Sequence, residues 1–85
     1  MNQSKYNGCA NYATWNVKLW IANDESLYDL ASCCSDYEVF KSTLRAESLR
    51  RLAYETPDGV AWSDSGIDHD EMVEFWNENF SNATA

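Results

Sequence analysis

Between Asn11 and Tyr28 the chain reads Asn-Tyr-Ala-Thr-Trp-Asn-Val-Lys-Leu-Trp-Ile-Ala-Asn-Asp-Glu-Ser-Leu-Tyr, a stretch that holds two of its four tryptophans and two of its five tyrosines. Tyr12, Trp15, Leu19 and Ala22 stand at i, i+3, i+7 and i+10, one face of a helix. Val17, Trp20 and Ile21 widen the apolar surface until only Thr14, Asn16 and Lys18 remain as a polar strip. A helix that is apolar around most of its circumference takes a central place in its domain. A strand over Trp15 to Ile21 is the competing reading; the spacing and the break that follows favour a helix over 12–22. Asn11 suits the N-cap, where its side-chain oxygen can accept an orphan backbone N–H. Asn23 suits the end, since Asn tolerates a left-handed cap.

The remaining elements follow the same logic. A second helix is expected over 24–34, opened by Asp24 and Glu25 at the positive end of its dipole, with Leu27, Leu30, Ala31 and Cys34 inward. Ser35-Asp36-Tyr37-Glu38 matches a capping box, with Ser35 as the cap. The helix behind it carries Tyr37, Phe40 and Leu44 inward, then Leu49, Leu52 and Ala53. No Gly or Pro interrupts 36–54, so one long helix is the simpler reading, with two shorter ones split near Ala46–Ser48 as the other. Glu38 and Lys41 form an i,i+3 pair. Thr56-Pro57-Asp58-Gly59 marks a turn. Residues 60–67 read as an ordered loop pinned by Trp62. Asp68 should cap a last helix over 69–80, with Met72, Phe75, Trp76 and Phe80 as its apolar face.

The expected fold is therefore all-α: one compact domain of about four helices, with an ordered loop near 56–67. Its expected core is Trp15, Leu19, Ile21, Leu27, Leu30, Phe40, Leu44, Leu52, Trp62, Phe75 and Trp76. Residues 1–10 should form a loose arm, anchored by Tyr6 or Cys9, and 81–85 should fray. Eighty-five residues suffice for one core. A 45% hydrophobic content argues against disorder, and one Pro with three Gly argues against a turn-rich β fold. No run is long enough for a transmembrane span or a signal core, so a cytoplasmic location is expected.

The net charge of −8 is uneven. Residues 1–54 carry six acids and six bases, and residues 55–85 carry eight acids and no base. Within that last third, Glu71, Glu74 and Glu78 fall at i, i+3 and i+7 as an acidic ridge, with Asp64, Asp68 and Asp70 nearby. Such a surface repels phosphate backbones, so direct nucleic-acid binding is not expected. It attracts a basic protein surface, or a groove that ordinarily holds nucleic acid.

Catalytic and metal signals are sparse. Cys9, Cys33 and Cys34 are odd in number and two are adjacent, which reads as reduced structural thiols. A zinc site from Cys9, Cys33, Cys34 and His69 lacks CxxC spacing. Asp64, Asp68 and Asp70 imitate a calcium loop only loosely, with Gly66 misplaced. His69 reads as an exposed first-turn residue, and no serine or threonine has a nucleophile-elbow or P-loop context. No cofactor is expected.

The run Asn11 to Tyr28 resembles the hallmark of a family of small uncharacterised proteins encoded by tailed phages, notably cyanophages, and by some bacteria. Thr56-Pro57-Asp58-Gly59-Val60-Ala61-Trp62 resembles a second block of that family. The resemblance implies a phage or phage-derived, intracellular context and transfers no catalytic residue. Three functions are then expected in order: a non-enzymatic protein that binds and modulates a host protein, an acidic nucleic-acid mimic, and a small enzyme or metal protein. The candidate partner-binding residues are Asp64, Asp68, Asp70, Glu71, Glu74 and Glu78, facing a host protein with a basic surface and no membrane.

Overall fold

A computed structural model describes residues 7–47 and 53–80. Four helices run in chain order: α1 Tyr12–Asn23, α2 Glu25–Ser32, α3 Tyr37–Glu47 and α4 His69–Asn79. Among the described residues there is no strand, only an isolated antiparallel bridge between Glu55 and Ala61. The protein is an all-α single domain. No helix among the described residues is long and apolar enough to cross a membrane.

Short polar side chains set the helix boundaries. Asn11 Oδ1 accepts the Thr14 N–H at 2.9 Å and starts α1. Asp24 does two jobs. Its own N–H closes α1 on the Trp20 carbonyl at 3.0 Å, and its carboxylate accepts the Leu27 N–H at 3.0 Å to open α2. Asn23 therefore remains helical and supplies no left-handed cap; its amide donates back to the Leu19 carbonyl. The cap of α3 is Asp36, not Ser35: Asp36 Oδ1 accepts the Val39 N–H at 2.9 Å. The expected Glu38–Lys41 pair forms at 3.1 Å. Asp68 caps α4 as expected, accepting the Glu71 N–H at 3.0 Å.

The long third helix does not extend to 54. Among the described residues α3 spans Tyr37–Glu47, Ala53 is in 3₁₀ conformation, and Tyr54 is in a turn. The expected inward residues Leu49 and Leu52, the Ala46–Ser48 split, the first six residues of the expected 1–10 arm and the 81–85 end lie wholly or partly outside the described residues, whereas Cys9 of that arm is buried and the Ala10 N–H is bonded to Glu71. Beyond Tyr54 the chain doubles back on itself. The Trp62 N–H donates to the Tyr54 carbonyl at 3.0 Å, and the Thr56 N–H to the Val60 carbonyl at 2.8 Å. Gly59 sits at φ +89°, a backbone conformation that favours glycine, and this closes the turn after Pro57 and Asp58.

The core gathers Val17 and Ile21 of α1, Leu27 and Ala31 of α2, Tyr37, Phe40 and Leu44 of α3, the loop residue Trp62, and Met72, Phe75 and Trp76 of α4. Trp76 lies at its centre, with ring centroids 5.0–6.0 Å from those of Tyr37, Phe40, Phe75 and Phe80. Its indole N–H donates to the Cys34 carbonyl at 3.0 Å. The Tyr37 hydroxyl donates to the Trp62 carbonyl at 2.6 Å, which fixes the loop to α3. Burial pushes that hydroxyl far above the usual tyrosine pKa.

Helix α1 is turned relative to the expectation. Thr14, Asn16, Val17 and Ile21 are fully buried, whereas Tyr12 is 44% exposed and Ala22 faces solvent. Trp15 and Leu19, expected in the core, are only half-buried. The physical reason is that two of the polar side chains have partners inside, in the loop and at the start of α4. Thr14, Val17 and Ile21 form as good an i, i+3, i+7 series as the aromatic one.

Candidate functional site

Asn16 is buried without strain because its side chain is fully engaged. Its Oδ1 accepts the Thr56 hydroxyl at 2.7 Å, and its amide donates to Asp58 at 2.7 Å and to the Tyr12 hydroxyl at 3.3 Å. The Trp20 indole N–H reaches the same Asp58 oxygen at 2.8 Å. Hydrogen bonds from Asn16 and Trp20 hold the Asp58 carboxyl below its ordinary pKa. Two residues earlier the Thr14 hydroxyl donates to Asn11 and accepts the Asp68 N–H at 2.9 Å. The Asn11 amide donates to the Gly66 carbonyl. The residues Asn11, Thr14, Asn16 and Trp20 thus bind the 56–58 turn and the start of α4. This polar clasp was missed at the sequence level; its signal was a set of amide and hydroxyl side chains inside an otherwise apolar helix.

The six acidic candidates separate in the structure. Glu71 is not part of a solvated ridge. Its Oε1 accepts the Ala10 N–H at 2.7 Å and its Oε2 meets Lys18 Nζ at 3.0 Å, with the side chain only 20% exposed. Lys18 also lies 5.8 Å from the Phe75 ring centroid. Burial pushes the Glu71 carboxyl up, but the bonds from Lys18 and Ala10 outweigh it and hold the pKa below the ordinary value. Asp68 is half-buried and spent on capping α4. Asp64 accepts the Gly66 N–H at 2.7 Å in the loop before α4. Asp70, Glu74 and Glu78 remain exposed on α4.

A shallow depression of about 420 Å³ brings Asp68, Asp70, Glu71 and Glu74 together around Val73, itself 43% exposed. Asp64 borders a different groove, of about 200 Å³, with Tyr37, Lys41 and His69. Glu78 lines neither. The outer face of α4 is therefore acidic with an apolar centre. Among the described residues no three His, Cys, Asp or Glu side chains stand close enough to share a metal ion. Cys9 and Cys34 are buried and Cys33 is exposed, all three as free thiols.

Because a depressed carboxyl pKa favours the charged form in the fold, Glu71 contributes stability above the unfolded carboxyl range. That contribution is lost as pH falls through the lowered folded value. Acid titration of stability should therefore show a downward step that Glu71→Gln flattens. At neutral pH the variant should cost on the order of 1 kcal/mol. Denaturant midpoints across the acid range measure both effects.

These features define a small acidic all-α domain built on a hydrogen-bonded clasp, with one acidic helix face turned to solvent. The chain belongs to DUF7249, a family of unknown function whose model matches residues 2–83. No curated protein matches it, and no solved structure matches it.

Proposed function

We propose that this chain is a non-enzymatic accessory protein of phage type that binds and modulates a host protein through the outer face of α4. The observation that carries the reading is the separation of the acids. Lys18 neutralises Glu71 internally, while Asp70 and Glu74 stay in water around an exposed Val73 and Glu78 is exposed further along α4. The eight acids and no base of residues 55–85 extend the negative field over that side of the chain. A face of this kind speeds encounter with a basic protein surface, and the apolar centre prolongs the contact. The phage context and an intracellular site of action rest on the resemblance of the Asn11–Tyr28 and Thr56–Trp62 blocks.

The test is a combined Asp70→Asn, Glu74→Gln and Glu78→Gln variant, which leaves the Glu71–Lys18 bridge in place. Wild-type protein should retain a host partner at low salt and release it at high salt. The variant should retain far less and show a flat salt response, with circular dichroism unchanged. Equal retention by both proteins at every salt concentration would remove α4 from the function. A retained partner that is itself a nucleic-acid enzyme would favour mimicry of nucleic acid as the mode of inhibition.

A further inference from the structure

Asn7 and Gly8 form an exposed turn at the start of the described chain. Both have positive φ, 50° and 85°, and Asn7 is the one non-glycine among the described residues that does. Asparagine tolerates that conformation and glycine adopts it freely, so the pair makes a tight turn. A Cβ added at Gly8 would meet no atom within 4 Å, so nothing packs over the bond between the two residues. The chain just beyond is fixed: Cys9 is buried, and the Ala10 N–H donates to Glu71 Oε1 at 2.7 Å. An open Asn-Gly bond thus adjoins an anchored segment. We propose that Asn7-Gly8 is a spontaneous modification site, at which asparagine becomes isoaspartate and the anchor at Ala10 loosens as the protein ages.

The first step is internal. The Gly8 backbone nitrogen attacks Cγ of the Asn7 amide and a nitrogen–carbon bond forms. The bond from Cγ to the side-chain nitrogen breaks, and ammonia leaves with the Gly8 amide proton. The product is a five-membered cyclic imide. Nucleophile and carbonyl belong to neighbouring residues, and glycine has no side chain to shield the nitrogen. Water then opens the ring. Cleavage at the main-chain carbonyl, the more electrophilic of the two, gives isoaspartate; cleavage at the other gives aspartate. One asparagine and one water yield one carboxylate and one ammonium. Isoaspartate carries the main chain through one extra carbon, which a tight turn cannot absorb without moving its neighbours.

The rest of the chain supplies the contrast. Gly59 also has positive φ and equally open surroundings, and an acid, Asp58, precedes it. There the clasp intervenes. Asn16 and Trp20 donate to one Asp58 oxygen at 2.7 and 2.8 Å, and this fixes the side chain as a carboxylate, a poor electrophile. Asn11 is committed to the α1 cap and to Gly66. Asn16, Asn23, Asn77 and Asn79 lie in helices, where backbone hydrogen bonds hold the chain away from ring closure. The modification is independent of the α4 partner face, which uses Asp70, Glu74 and Glu78.

The experiment ages the intact, folded chain in warm, mildly alkaline buffer and digests it with trypsin. The peptides are mapped by mass spectrometry with electron-transfer fragmentation, which separates isoaspartate from aspartate. The Tyr6–Lys18 peptide should give two products of one mass, heavier by the difference between a hydroxyl and an amino group. Both should be altered at Asn7, with isoaspartate the larger. Asn11 and Asn16 of the same peptide, and Asp58 in the peptide from Leu52 onward, should be unchanged over that period. The intact protein should gain one negative charge on anion exchange, sooner at higher pH, because the attacking nitrogen must lose its proton. Asn7→Gln keeps the amide but needs a six-membered ring, and should gain none. The Ala10 amide should exchange hydrogen faster in the aged fraction than in the fresh one. An Asn7 that stays asparagine as long as Asn11 and Asn16 do would overturn the proposal. So would an Asn7→Gln chain that acidifies at the wild-type rate, and equal Ala10 exchange in both fractions would overturn the loosening.

Discussion

Replacing Trp76 with alanine should destabilise the domain by about 3–5 kcal/mol. The side chain is 3% exposed and packs on Tyr37, Phe40, Phe75 and Phe80 at once. Its loss opens a cavity bordered by α3 and α4 and strands the Cys34 carbonyl that its indole satisfied. A domain of this size holds only about 4–13 kcal/mol in total, so the variant should be partly unfolded under mild conditions. Trp76→Phe keeps most of the ring contacts and loses the donor, and should cost about 1–3 kcal/mol. Trp15→Ala should cost clearly less than Trp76→Ala, since Trp15 is half-buried and rests on the exposed Tyr12 ring. Denaturant unfolding of the three variants checks this order, and a Trp15 effect equal to that of Trp76 would contradict it.

The second large effect should come from a polar residue. Asn16→Ala leaves the buried Thr56 hydroxyl without its acceptor and opens space at a fully buried position. The expected loss is about 1–3 kcal/mol from the unsatisfied group, with the lost packing added to it. Thr56→Val alone should also destabilise, because Asn16 then keeps an unmet oxygen. The double variant should cost less than the sum of the two, with a coupling of about 0.5–3 kcal/mol. Simple additivity would show that the bond between α1 and the 56–58 turn contributes little. Fluorescence of Trp20, whose indole shares Asp58 with Asn16, would report on the same clasp.

The sequence was legible wherever one side chain acts on its own neighbours. Asn11 and Asp68 as caps, the Glu38–Lys41 pair, Trp62 as the anchor of its loop, and the Met72–Phe75–Trp76 face all follow from local spacing. The facing of α1 was not legible. Apolar area favours burying Tyr12, Trp15 and Leu19, and only partners 40 residues or more away, Thr56 and Asp68, reverse that preference for Asn16 and Thr14. Glu71 was misread for the same reason. Its ridge spacing with Glu74 and Glu78 is real, but Lys18 lies 53 positions away in sequence and takes it out of the ridge. Capping likewise moved from Ser35 to Asp36, a choice between adjacent good caps that composition does not make.

The clasp also bears on the order in which the chain is made. Synthesis brings out α1 and α2 before residues 56, 58 and 68 emerge. Until then Asn16 and Thr14 lack the partners that justify their burial, and the competing orientation, with the tryptophan side of α1 turned inward, has no opponent. The early helices should therefore form and sample both facings of α1 during synthesis. Commitment to the native one belongs to residues 56–68, so the emergence of that segment, and not the appearance of the first helices, should set the moment at which this domain acquires its final shape.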